Sequence, residues 1–94
     1  MTAKAHLARL HDLPCVVCVH MGMGWPNQVE VHHVESIRDS DSDYAGVPLC
    51  AEHHRGATGV HGLSRRGFAD RYKLSDVDLL ALTIKAMDKA GMIK

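Results

Sequence analysis

Two pairs of residues at one spacing, Cys15-x-x-Cys18 and Cys50-x-x-His53, constrain this chain more than anything else in it. Zinc takes four tetrahedral thiolate and imidazole ligands, and Cys3His is an ordinary structural set. Two intervening residues let a short knuckle deliver both side chains to one ion. A lone Cys-x-x-Cys also serves as a redox pair. The βαβ frame of that use is missing here, and Cys50 with His53 repeats the spacing. Three cysteines cannot close a disulfide framework. A chain of 94 residues reads as one small domain. Domains of this size bury roughly 60–70% of their unfolded surface, so a structural metal is an effective staple.

The remaining pattern is that of a small α+β domain. Residues 2–12 read as a short helix capped by Thr2 and ended by Pro14. Residues 14–28 hold the knuckle and a Gly-rich turn. Residues 28–35 alternate Val29 and Val31 with Glu30 and read as a strand. Residues 36–46 are rich in Ser and Asp and read as a loop. Val47-Pro48-Leu49 is too short to assign alone. A short helix starts near Cys50, and Gly56, Gly59 and Gly62 then punctuate a loop carrying His61. Ser64 caps a brief helix in which Phe68 and Tyr72 share a face. Ser75 is an N-cap for a last helix over 76–90, with Asp76 and Asp78 in its first turn and Gly91 as its stop. Val77, Leu80, Ile84 and Met87 are expected to face the core. Leu79, Leu82 and Ala86 beside them leave room for a homodimer.

Eleven basic and eleven acidic residues cancel. Whole-chain charge therefore does not argue for nucleic acid, although Arg55, Arg65, Arg66, Arg71 and Lys73 gather late enough to make a local basic face. The start lacks the apolar stretch of a secretory signal, and no run approaches the roughly 18–20 apolar residues of a membrane span. Reduced thiols fit the cytoplasm.

Eight histidines are unusual in so short a chain, and six lie between His20 and His61. Once the staple takes His53, His32, His33, His54 and His61 remain near it. Each taken singly is more readily a surface or hydrogen-bonded histidine than a ligand. As a set beside a zinc knuckle they point to a site. Neighbouring residues on a strand face opposite ways, so His32 and His33 are expected to divide the work. One ligates a metal and the other activates water. Phosphodiester hydrolysis asks for that division: a neutral histidine removes the water proton, while a divalent ion offsets charge on the phosphate and leaving oxygens. Arg55 is the nearest candidate to hold the phosphate.

Val-Glu-Val-His-His-Val, Val-Pro-Leu-Cys-Ala-Glu-His-His-Arg-Gly and Gly-Val-His-Gly, followed by Phe68 and Tyr72, resemble the HNH endonucleases of the His-Me finger class. The closer likeness is to the phage recombination-enhancement nuclease group, over roughly residues 14–74. That resemblance implies a zinc-stapled ββα-metal fold with flanking helices. It implies Cys15, Cys18, Cys50 and His53 on structural Zn²⁺, and His32, His54 and His61 around a catalytic Mg²⁺ or similar ion. His33 takes the place of the general base. The Asn that orients this base in the family is missing from Asp43-Tyr44-Ala45-Gly46, so Asp43 or the backbone takes that role. DNA as substrate, a recombinase filament as partner, and a phage or prophage gene expressed in bacterial cytoplasm belong to the same resemblance.

The competing reading is a non-catalytic zinc module that binds nucleic acid or protein. It has no use for His32, His33 and His54, and it favours a stripe of basic and aromatic residues that this chain lacks. A metallohydrolase for amides is disfavoured by the absence of His-Glu-x-x-His.

Overall fold

The computed structural model describes residues 2–24, 28–34 and 39–93. Its elements are α1 (Ala3–His11), α2 (Val16–His20), β1 (Glu30–His33), β2 (Gly46–Leu49), α3 (Ala51–Arg55), α4 (Val60–Tyr72) and α5 (Asp76–Lys89), with a 3-10 helix over Asp39–Ala45 ahead of β2. This is a small α+β arrangement. No helix among the described residues is long and apolar enough to cross a membrane.

The sheet is a single antiparallel pair, with Glu30 opposite Leu49, Val31 opposite Pro48, His32 opposite Val47 and His33 opposite Gly46. Pro48 is tolerated because a two-stranded sheet has only edges, where a missing N–H breaks no interior ladder. All four residues of β2 are buried, with α1, α2 and α5 packed on it. The alternation of β1 sends Glu30 and His32 to one face and Val31 and His33 to the other. Val31 joins Leu10, Leu13 and Met87 in a small cluster beneath α1. The larger core gathers Val16, Val17, Val47, Leu49, Phe68 and Leu79 around Cys15 and Cys18.

Several expectations change at this level. The strand is shorter than 28–35, with Glu35 outside the described residues. The knuckle continues into a helix, α2, because Val16 and Val17 are pulled into the core. Part of the expected acidic loop, from Asp39 onward, is the 3-10 helix, which packs on α1. Val47-Pro48-Leu49 becomes most of β2 once β1 is beside it.

Ser75 and Asp78 form a reciprocal capping box at the start of α5. The buried face of that helix differs from the expected one. Leu79, Thr83 and Met87 are buried, with Leu82 and Ala86 packed beside them, while Val77 and Ile84 are 73% and 57% exposed. The side reserved for a second copy therefore lies in the chain's own core. Periodicity fitted either stripe, and packing on β2 selected the one built on Leu79. Leu79→Ala is accordingly expected to cost about 2–5 kcal/mol. Val77→Ser should change stability by less than about 0.5 kcal/mol. Urea unfolding of both variants checks this; equal losses would contradict the packing.

Candidate metal centres

Two helix starts build the first centre in the same way. Cys15 is the N-cap of α2 and Cys18 lies three residues on; Cys50 is the N-cap of α3 and His53 lies three residues on. Side chains at an N-cap and at the third helical position reach toward each other, so each short helix presents two ligands. The Cys18 and Cys50 sulfurs lie 3.8 Å apart. His53 Nδ1 lies 3.6, 3.4 and 3.3 Å from the sulfurs of Cys15, Cys18 and Cys50. A tetrahedral zinc with ordinary bond lengths separates its ligand atoms by about 3.4–3.8 Å, so the four residues fit such an ion. None of the cysteines is in a disulfide.

Electrostatics give the same answer. Burial pushes the Cys15 thiol up, against backbone N–H groups of Cys50 and Cys18. Burial, then the neighbouring sulfurs, pushes Cys18 up to about 12. Cys15 and Cys18 thus resist ionising unless a cation compensates them, and a coordinating thiol is deprotonated by its ion. Burial lowers the His53 imidazole, keeping it in the neutral form that ligates. The aromatic side of α4 covers this centre. Tyr72 meets the His53 ring edge-on with centroids 5.5 Å apart, stacks on Phe68, and donates its hydroxyl to the Thr58 carbonyl at 2.9 Å.

The second cluster lies on the Glu30–His32 face of β1. His32, His54 and His61 each offer a ring nitrogen within 4.8 Å of the others. His54 Nε2 and His61 Nε2 are 3.2 Å apart, and His32 meets both rings at 5.4 Å between centroids. The Nε2 of His32 is buried and has no hydrogen-bond partner among the described residues. Burial, then the charges of His54, His61, His33 and Arg65, lowers His32 to about 4, so it is neutral at pH 7. A buried neutral imidazole with an unpaired ring nitrogen beside two others is a metal-ligand arrangement.

His33 projects from the opposite face of β1 and is exposed, with its Nε2 2.9 Å from Asp43 Oδ1. The two adjacent histidines stand apart in the geometry: His32 is grouped with His54 and His61, and His33 with Asp43. Arg55 is paired with Glu30. Its Nε is 3.0 Å from both Glu30 oxygens, and its Nη2 is 2.9 Å from Glu30 Oε2. The same Glu30 carboxylate accepts from His54 Nδ1 at 2.8 Å. Arg55, then His54, holds Glu30 down at about 2. The late basic cluster is also partly paired, with Arg65 3.4 Å from Asp76.

His61 was expected in a loop and instead sits in the first turn of α4. The helix breaks at Ser64, which adopts the left-handed region at φ 67° and accepts from the Gly67 N–H at 3.3 Å. This is the capping role expected of Ser64. The break separates the turn carrying His61 from the part carrying Phe68 and Tyr72. Two glycines seat that first turn against α3. A Cβ on Gly59 would overlap the Glu52 carbonyl oxygen. One on Gly62 would overlap the Gly56 carbonyl oxygen and lie 2.9 Å from that of Ala57. Gly62→Ala is therefore expected to lower stability by about 1–3 kcal/mol and to weaken ion binding at the histidine cluster. Thermal melting and a divalent-ion titration check both. An unchanged affinity would show that His61 is placed by something else.

A family model described as recombination enhancement, RecA-dependent nuclease matches residues 2–88. The chain belongs to this family. No curated protein matches it. The matched span of the RecA-dependent nuclease family includes both clusters, the His33–Asp43 pair and the Glu30–Arg55 pair. Glu30, which contacts His54 and Arg55, is the residue beside the histidine cluster that sequence reading passed over. Its signal was available, since two residues before His32 on a strand is the same face, but an isolated glutamate between valines reads as the solvent side of an ordinary strand.

Proposed function

We propose that this chain is a metal-dependent endonuclease of the HNH, His-Me finger type that hydrolyses DNA phosphodiester bonds. The observation that carries the reading is the buried Nε2 of His32, without a partner among the described residues and set against His54 and His61. The succession β1, β2, α3 supports the ββα assignment, with the His32-His33 pair on the first strand and His53-His54 on the helix.

Under this reading Zn²⁺ at Cys15, Cys18, Cys50 and His53 is structural. His32, His54 and His61 hold a catalytic divalent ion, Mg²⁺ or another. The charge of that ion would offset the negative charge developing on the phosphate and leaving oxygens. Three imidazoles suit first-row transition ions better than Mg²⁺, so Mn²⁺ belongs beside Mg²⁺ in any assay. His33 is the general base. Because Asp43 is an acceptor only, His33 donates Nε2–H to it and keeps its lone pair on Nδ1. Nδ1 takes the proton of the attacking water, while Asp43 fixes the tautomer and steadies the imidazolium that forms, filling the place of the family's Asn.

The family description supports DNA as substrate and a recombinase filament as partner, and the motifs support a phage or prophage setting in bacterial cytoplasm. The test is incubation of zinc-loaded protein with plasmid and with single-stranded DNA, in Mg²⁺ or Mn²⁺, with and without a recombinase filament. Ion-dependent cutting that requires the filament is expected. Intact DNA under every condition would instead favour a non-catalytic zinc module.

A further inference from the structure

Glu30 and Arg55 are absorbed neither by the zinc staple nor by the His33–Asp43 pair, yet they join β1 and α3, two of the three elements that carry the histidine cluster. Glu30 lies on β1 two residues before His32; Arg55 ends α3 immediately after His54. One carboxylate accepts from His54 Nδ1 at 2.8 Å and from the Arg55 guanidinium at 3.0, 3.0 and 2.9 Å. We propose that Glu30 and Arg55 are a positioning pair for the three-histidine centre, with Glu30 fixing the tautomer and ring orientation of His54 and Arg55 fixing Glu30. This rests on the reading of that centre as an ion site.

The tautomer argument is direct. An ionised carboxylate only accepts, so the proton of a neutral His54 is on Nδ1 and its lone pair is on Nε2. Nε2 is the atom that stands 3.2 Å from His61 Nε2. Without Glu30 the His54 ring is free to rotate and to carry its proton on either nitrogen, and part of the population then presents N–H where a ligand atom is needed. Arg55 contributes because a half-exposed carboxylate samples several rotamers, whereas a guanidinium bound in a fork restrains it to one. The geometry reassigns Arg55 from the phosphate to the support of a ligand. Outer partners of ligating histidines typically contribute about 10–100-fold in metal affinity.

The experiment is a Mn²⁺ or Co²⁺ titration of the full chain with its Cys3His site already filled by zinc, in the absence of DNA. Glu30→Gln, Glu30→Asp and Arg55→Ala are run beside wild type. Zinc content and melting temperature establish that each variant is folded, and ¹⁵N chemical shifts of the imidazoles report the His54 tautomer. Glu30→Gln is expected to weaken the second ion about 10–100-fold and to remove the single-tautomer signature of His54. Arg55→Ala should weaken it less, and Glu30→Asp should recover part of the loss. Folded Glu30→Gln with affinity within about twofold of wild type overturns the proposal while leaving the ion site standing. So does an Arg55→Ala that keeps full ion affinity but lowers the salt slope of DNA binding by about one, the signature of a phosphate contact. A wild type that takes up no second ion overturns both the site reading and this inference.

Discussion

Cys50→Ala is expected to yield a chain that no longer retains zinc and does not fold at ordinary temperature. Cys50 is at once a proposed ligand, the N-cap of α3 and a neighbour of the main core. Its loss leaves the Cys15, Cys18 and His53 side chains without the fourth donor and loosens α3 from β2. The magnitudes decide the outcome. Structural zinc sites supply apparent binding free energies of about 10–16 kcal/mol in small modules, whereas whole domains are stable by about 5–15 kcal/mol. Removing a ligand therefore forfeits an amount comparable with the entire stability. Circular dichroism with direct zinc analysis checks it, and a strong chelator should unfold the wild type in the same way. A Cys50→Ala chain that melts like wild type with one zinc bound would remove this cluster from any structural role.

The second large effect is confined to activity. His33→Ala should cut DNA at least about 10²-fold more slowly, the lower end of what a general base contributes, while keeping its zinc and its melting temperature. The separation is expected because His33 is exposed at the end of β1, outside both core clusters, and bonds only to Asp43 among the contacts described. Asp43→Ala should show the same pattern with a smaller loss, since the base survives and only its orientation is released. Single-turnover cleavage under conditions where wild type is active is the measurement. Undiminished cutting by a folded His33→Ala chain would take His33 out of the mechanism.

Much of this was legible in the sequence, for identifiable reasons. Ligand spacings are local, so the grouping of Cys15, Cys18, Cys50 and His53 was legible, and the opposed faces of a strand separated His32 from His33. Caps are local too, which is why Thr2, Ser64 and Ser75 appear where expected. The misreadings were decided by distant contacts. Val47-Pro48-Leu49 is a strand only because β1 lies beside it. The core face of α5 is chosen by β2, and its two candidate stripes were equally apolar. His61 is helical because Gly59 and Gly62 allow α4 to begin directly against α3. The pairing of Arg55 with Glu30 was equally out of reach, since the two lie twenty-five positions apart in sequence.

The account stands on the three histidines forming a second ion site, and counting bound ions tests that most directly. Purified chain would be dialysed against Mn²⁺ and zinc at buffered levels and analysed for total metal, beside a His54→Ala/His61→Ala double variant. One tightly held zinc plus one exchangeable ion in wild type, falling to the zinc alone in the variant, is the predicted result. A wild type that holds only the zinc, or a double variant that retains two ions, would contradict it.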